Sequence, residues 1–121
     1  MKISDILVEK TPHLSFEVFP PKTDAAYEGV LKATEAIAEL KPSYMSVTYG
    51  AGGGNVGANR EVCQMIKKAG TTPVTHFTVI KNTKEGIKEQ LDQYLAEGVD
   101  HMLALRGDIP LGETTTCGDF N

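Results

Sequence analysis

Side chains able to do acid–base or ionic chemistry recur at the ends of four short apolar segments of the chain. These positions are Glu17, Thr48, Tyr49, His76, Thr78, Arg106 and Asp108. If the segments are parallel strands, their carboxyl ends meet on one rim, where parallel β/α folds build their active sites. The spacing therefore predicts one site assembled from four strand ends.

Glu17 is an acid within the otherwise apolar segment 14–19. A carboxylate buried there would lose its hydration and its pKa would rise, which suits a proton donor at neutral pH. The alternative is an ion pair in which Arg106 neutralises the carboxylate across the rim. The residues alone leave both interpretations open.

The elements that must position these side chains alternate regularly. We predict strands over residues 14–19, 44–49, 73–80 and 101–106, each bounded by turn or helix-start residues. The helix over residues 24–40 begins with Thr23 or Asp24 as its cap, and another runs from Thr83 to Gly98. The helix between them follows the glycine-rich loop 50–57 and ends at Gly70. The apolar faces predicted for the three helices comprise Tyr27, Val30, Leu31, Ile37 and Leu40, then Val62, Met65 and Ile66, then Ile87, Leu91, Tyr94 and Leu95.

This βαβαβαβ order implies parallel strands joined by right-handed crossovers. Two α/β architectures compete: a flavodoxin-like open sheet of about five strands, and a (β/α)₈ TIM barrel of roughly 250 residues. The chain has 121 residues and its last predicted strand has no covering helix. In either architecture the chain would be incomplete. The tail 111–121 is expected to be loose.

The glycine-rich loop contains a G-x-G-x-x-G pattern at Gly52, Gly54 and Gly57, which is the spacing of dinucleotide-binding turns. Such turns usually follow the first strand and are followed about 20 residues later by an acid at the next strand end. This loop follows the second strand, and the first acid after the third strand is Glu85. We interpret the match as accidental, leaving backbone amides that can approach a phosphate or a ring edge.

Composition narrows the class of protein. Twelve Lys and Arg against 16 Asp and Glu give a net charge of −4, which offers no basic surface for nucleic acid or an anionic membrane. The absence of a long apolar run predicts a cytoplasmic protein. Cys63 and Cys117 are interpreted as two free thiols, with a disulfide as the alternative. The histidines are dispersed, with His101 expected at the opposite rim from His76, and predict no metal site.

Four motifs together resemble one family. The segments Ser15-Phe-Glu-Val-Phe-Pro-Pro-Lys22, Ser46-Val-Thr-Tyr-Gly-Ala-Gly-Gly53, Thr75-His-Phe-Thr78 and Leu103-Ala-Leu-Arg-Gly-Asp-Ile-Pro110 are similar, in order and spacing, to those of the 5,10-methylenetetrahydrofolate reductases. The resemblance extends over residues 14–110. It departs after Gly53, where many relatives carry Ser-Thr followed by charged residues and this chain has Gly54-Asn-Val-Gly-Ala-Asn59.

The resemblance implies that residues 1–121 form the N-terminal half of one (β/α)₈ catalytic domain, with about four strands and three helices. It implies that this barrel holds FAD, takes electrons from NADH or NADPH, and reduces a folate substrate. It implies that Glu17 is the general acid that opens the folate's five-membered ring. By the same resemblance, Asp108 stands beside flavin and folate and favours the iminium cation. The implied cofactor contacts are Thr48, Tyr49, Ala51, His76, Arg106 and Gly107.

A second hypothesis treats the chain as a non-catalytic half-barrel that serves as a folding or oligomerisation unit. Four strands curved for a barrel leave two unpaired edges, and such edges pair with other chains. We therefore expect a homo-oligomer in either case. Bound flavin discriminates the two hypotheses.

Overall fold

The computed structural model describes residues 2–49, 56–114 and 118–120. Its elements are α1 (Ile3–Leu7), β1 (Ser15–Val18), α2 (Asp24–Glu39), β2 (Tyr44–Val47), α3 (Val56–Lys68), β3 (Pro73–Thr78), α4 (Lys84–Ala96) and β4 (Met102–Leu105). The four predicted strands and three predicted helices are confirmed, with strands shorter at their ends than predicted. Helix α1 was not predicted, because five residues are too few for a helical repeat to be recognised.

The four strands form one parallel sheet in the order β1-β2-β3-β4. A flavodoxin-like sheet would have the order 2-1-3-4-5, so the described strands do not follow that alternative. Each crossover steps in the same direction along the sheet, and right-handed crossovers of this kind place their helices on one face. We call this the helix face of the sheet and the opposite one the inner face.

Local signals fix the ends of the helices. The side-chain oxygen of Thr23 accepts from the amide of Ala26 at 3.2 Å, and that of Thr83 accepts from Gly86 at 3.1 Å, as the predicted caps require. Gly70 and Gly98 follow α3 and α4 with φ of 87° and 74°. Glycine occupies this left-handed region without steric cost, so it ends both helices.

The core lies between the helix face of the sheet and the helices. Its members alternate with inner-face residues along the strands, and the buried set includes Val18, Ala38, Met45, Val47, Tyr49, Val62, Cys63, Ile66, Phe77, Tyr94 and Val99. Three residues predicted for apolar helix faces are exposed instead: Leu40 by 73%, Leu95 by 61% and Tyr27 by 37%. In α4 the buried face is supplied by Tyr94, with Ile87 and Leu91 packed beside it.

Residues 118–120 pack against the start of α4, so the expectation of a loose tail is wrong for them. The Asp119 carboxylate accepts from the backbone amide of Lys84 at 2.8 Å, and the Asp119 amide donates to the carbonyl of Asn82 at 3.0 Å. A carboxylate at a helix N-terminus satisfies a free amide and meets the positive end of the helix dipole.

Strand β4 differs from its neighbours in burial. All four of its residues are exposed, whereas β3 is buried at every position except His76. Leu103 and Leu105 pair with His76 and Thr78, so these leucines belong to the inner face. No helix in the described part of the chain is long and apolar enough to cross a bilayer.

Candidate active site

A cavity of about 520 Å³ opens at the carboxyl ends of the strands. Its lining combines apolar groups with ionic and hydroxyl groups: Phe19, Pro20, Pro21, Lys22, Thr48, Tyr49, His76, Thr78, Leu105, Arg106, Gly107 and Asp108. Residues at the ends of all four strands line this cavity, so the strand ends meet on one rim, as predicted. Mostly apolar walls with a few convergent polar groups are typical of small-molecule sites.

Glu17 lies on the inner face of β1, below this cavity and outside its lining. Its Oε2 atom accepts a hydrogen bond from Ser46 Oγ at 3.1 Å, and His76 Nε2 lies 3.3 Å from the same oxygen. The side chain is 49% exposed, so the expectation of a buried carboxylate is wrong for this chain. Its partners are Ser46 and His76, which corrects the alternative of an ion pair with Arg106.

His76 joins two parts of the inner face. Its side chain is 14% exposed, lines the cavity at the rim, and reaches Glu17 with Nε2. It also lines a second groove toward the amino ends of the strands, together with Glu17, Ser46 and His101. His76 and His101 therefore border one groove, although they were expected at opposite rims. The residues described contain no group of three or more His, Cys, Asp or Glu side chains able to hold a metal ion.

Thr48 and Tyr49 continue β2 into the rim. The Thr48 amide donates to the carbonyl of Val18 at 3.1 Å, which ties this end to β1. The Tyr49 ring is buried against Phe77, with centroids 5.6 Å apart, and its hydroxyl donates to Gln90 Oε1 at 2.8 Å. Burial raises the pKa of this hydroxyl. The bulk of the Tyr49 side chain serves the core, so its backbone is the part best placed to meet a ligand. Ala51 and the rest of the glycine-rich loop to Asn55 lie outside the described residues.

The turn after β4 is held tightly against β3. Gly107 has φ of 88°, and a Cβ atom there would lie 2.7 Å from Cγ2 of Ile80 and closer still to Cγ2 of Thr78. The carbonyl of Arg106 accepts from the Ile80 amide at 2.7 Å. Only glycine fits this position, and it sets the exposed side chains of Arg106 and Asp108 at the cavity.

Asn59 is a buried polar residue that sequence reasoning missed. Its side-chain amide donates to the carbonyls of Val47 and Thr48, at 3.2 and 2.9 Å, just where β2 enters the rim. Its Oδ1 accepts from Tyr94 Oη at 2.6 Å and from Thr75 Oγ1 at 2.8 Å. The available signal was position: Asn59 precedes Cys63 and Ile66 by four and seven residues, on the apolar face of α3.

Comparison with known proteins identifies the family. The methylenetetrahydrofolate reductase family model matches residues 2–120. The chain belongs to the methylenetetrahydrofolate reductase family. It is 35% identical over 99 residues to a 5,10-methylenetetrahydrofolate reductase of Pectobacterium carotovorum, covering 81% of this chain and 33% of that protein.

Other relatives belong to the same family. A 5,10-methylenetetrahydrofolate reductase of Salmonella typhimurium is 35% identical over 101 residues, covering 83% of this chain and 34% of its own length. A methylenetetrahydrofolate reductase (NADH) of Arabidopsis thaliana is 28% identical over 113 residues, covering 93% and 19%. The chain thus spans about a third of the length of the bacterial members of the family that it matches.

Proposed function

We propose that this chain supplies the part of the active site of a flavin-dependent reductase that contains the general acid, Glu17. The reductase converts 5,10-methylenetetrahydrofolate to 5-methyltetrahydrofolate, with NADH or NADPH as electron donor. One observation carries the proposal. In a member of this family, Glu17 is held by Ser46 and His76 directly below a rim cavity that presents Arg106 and Asp108.

The cavity suits an FAD ring system. Its walls include the apolar side chains of Phe19 and Leu105, and Arg106 offers a guanidinium that can pair with anionic or carbonyl oxygens. FAD when bound supplies the hydride-transfer chemistry of such an enzyme. The residues that would hold it are Thr48, Tyr49, Ala51, His76, Arg106 and Gly107, with Tyr49 acting through its backbone.

Glu17 is assigned the role of general acid. Opening the five-membered ring of the folate requires a proton on the departing nitrogen, and a positioned carboxylic acid can deliver it. The half-exposed carboxyl group is accessible from the inner face, while Ser46 and His76 contact one of its oxygens and restrict its orientation. His76 can also return a proton to Glu17 after transfer, because its Nε2 lies 3.3 Å from the carboxylate oxygen.

Asp108 is assigned electrostatic stabilisation. Ring opening leaves a positive charge on the folate as an iminium ion, and a fixed carboxylate nearby favours that charge. Asp108 lines the cavity on the turn that Gly107 holds against β3, so its backbone position is well defined.

We also propose that residues 1–121 are the N-terminal half of a single (β/α)₈ domain. Three observations support this: the parallel order β1-β2-β3-β4, the helices collected on one face, and the polar inner face bearing Glu17, Ser46 and His76. Within such a barrel the inner-face groups would lie in the interior, beneath the rim.

The proposal is tested on the longest natural polypeptide that contains these residues. Purified protein should carry a flavin absorbance spectrum, and nicotinamide nucleotide should bleach it. Adding 5,10-methylenetetrahydrofolate should then restore the oxidised spectrum with formation of 5-methyltetrahydrofolate. A protein with bound flavin that is never reoxidised by the folate would overturn the assignment of substrate.

A second candidate function, a non-catalytic unit that associates through its sheet edges, is favoured by the exposure of all four residues of β4. Exposed strand edges promote association with other chains. A colourless oligomer that takes up no added FAD would support this candidate over the enzyme.

A further inference from the structure

We propose that Asn59 is a positioning residue of the rim: its side-chain amide fixes the end of β2, and thereby the backbone that the flavin meets. That the ligand at this backbone is a flavin rests on the proposed function. The positioning itself can be measured without any ligand.

The donor half of Asn59 faces the rim. Its Nδ2 donates to two successive carbonyls, those of Val47 and Thr48, from the fourth residue of α3. The register of β2 with β3 runs from Met45 to Val47, so the Thr48 carbonyl lies beyond this ladder. A primary amide has two N–H groups on one nitrogen, which matches two adjacent acceptors. Thr48 is thus held from two sides, by Asn59 and by the carbonyl of Val18.

The acceptor half of Asn59 faces the core. Oδ1 accepts from Tyr94 Oη of α4 and from Thr75 Oγ1 of β3, and Cys63 Sγ lies 3.7 Å away. These donors determine the orientation of the amide, because a flipped amide would set its oxygen against two carbonyls. Asn59 is completely buried, and every buried side-chain nitrogen or oxygen in the described residues has a hydrogen-bond partner.

The two halves can therefore be disturbed separately. Asn59→Asp keeps the shape and the acceptor for Tyr94 and Thr75, but sets a carboxylate oxygen against the carbonyls of Val47 and Thr48. Tyr94→Phe removes one bond on the core side and leaves both rim bonds in place. Asn59→Asp takes the amide donor from the carbonyls of Val47 and Thr48, whereas in Tyr94→Phe the Oδ1 of Asn59 still accepts from Thr75.

Both variants are compared in the longest natural polypeptide that contains the chain, by two readouts. Hydrogen exchange of the ligand-free protein should be faster at the amides of Thr48 and Tyr49 in Asn59→Asp than in Tyr94→Phe at matched loss of stability. FAD titration followed by flavin fluorescence should show affinity lowered about tenfold or more in Asn59→Asp, against less than about threefold in Tyr94→Phe.

Lowering the pH provides a further check that a general loss of stability would not reproduce. A protonated aspartic acid regains one O–H donor, so FAD affinity in Asn59→Asp should partly recover at acid pH relative to wild type. The titratable groups that face position 59 are Cys63 and Tyr94, and burial raises the pKa of both, so neither ionises in that range. Asn59→Ser takes the place of Asn59→Asp in the exchange and affinity comparisons if the aspartate variant does not fold.

Equal exchange at Thr48 and Tyr49 in the two variants would overturn the positioning role, as would affinities that fall only in proportion to stability. If the wild-type protein binds no FAD but the two variants show the predicted exchange difference, the positioning role stands and the flavin assignment is overturned.

Discussion

The Nε2 atom of His76 lies 3.3 Å from Oε2 of Glu17, the same carboxylate oxygen that accepts the hydrogen bond from Ser46. Three strands thus meet in one contact on the inner face of the sheet. Because both neighbours approach one oxygen, the carboxyl group is oriented by the sheet rather than by a loop. Sites built on strands hold their geometry better than sites built on loops.

Replacing Glu17 by Gln should abolish folate reduction while leaving reduction of the bound flavin by the nicotinamide nucleotide nearly intact. Only the folate half-reaction needs a proton donor for ring opening, and loss of a general acid commonly costs about 10²–10⁴-fold. Stopped-flow absorbance resolves the two half-reactions in the longest natural polypeptide. Ser46→Ala is the matched control, since it disturbs orientation without removing the acid and should cost less. Equal losses in both half-reactions would contradict the role.

Asp108→Asn should slow the folate half-reaction and raise the midpoint potential of the flavin, by an amount on the order of tens of millivolts. A carboxylate beside the ring system disfavours the negative charge that reduction adds, and the amide removes that repulsion. Potentiometric titration measures the shift. Glu113→Gln removes one charge outside the cavity lining and should leave the potential unchanged. An Asp108→Asn potential equal to wild type would place Asp108 away from the flavin.

Gly107→Ala should destabilise the fold more than Gly112→Ala, although both glycines have φ near 85°. Each substitution carries the strain of the left-handed region, about 1–2 kcal/mol. Only at Gly107 does the new methyl group collide with Thr78 and Ile80, whereas Gly112 has open space. The difference in free energy of unfolding, measured with urea, should be about 1–3 kcal/mol. Equal losses would show that the turn moves away from β3 at little cost.

The sequence predicted the elements better than it predicted burial. Caps such as Thr23 and Thr83 and end glycines such as Gly70 are local signals, and they were confirmed. The exposure of Glu17 was not predicted, because burial on the inner face depends on what lies opposite the strand, and no local pattern reports that. Tyr49 lies two and four residues after Val47 and Met45, and residues at alternate positions of a strand point to the same face of the sheet. Strand alternation therefore indicates that the Tyr49 ring faces the core.

Alkaline pH should destabilise the protein through Cys63. Burial raises the pKa of its thiol from 9.0 to about 12. Between these values the unfolded chain releases a proton that the folded chain keeps. The free energy of unfolding therefore falls as pH rises through this window, by at most about 1.4 kcal/mol per pH unit for one group.

Urea titrations at pH 8, 9 and 10 test this contribution. The Cys63→Ala variant should start less stable, because it leaves a small cavity, but should lose less stability between pH 9 and 10 than wild type. Burial also raises the pKa of Tyr94, which adds to the loss at higher pH in both proteins. Parallel stability curves for the two proteins would show that Cys63 ionises without penalty.

The 121-residue chain alone should self-associate. Leu103 and Leu105 are 47% and 39% exposed on β4, at an edge of the sheet, and Phe19 is 62% exposed at the rim. Sedimentation equilibrium over a tenfold range of concentration should give a mass that rises to a dimer. Leu105→Lys should weaken association, whereas Leu111→Lys, at a fully exposed residue outside the sheet, should not. A compact monomer that unfolds cooperatively would contradict this prediction.

The order of the strands also bears on how the chain acquires its structure. Ser15 pairs with Tyr44, Met45 with Pro73, and Thr75 with Met102, so every pairing joins residues 27 to 29 positions apart. Among the described pairings, no strand must wait for a partner made much later, so this part of the chain can fold from the amino terminus as it leaves the ribosome. Each βα unit is then a template for the next, and a growing polypeptide can bury β2 before β4 has been synthesised.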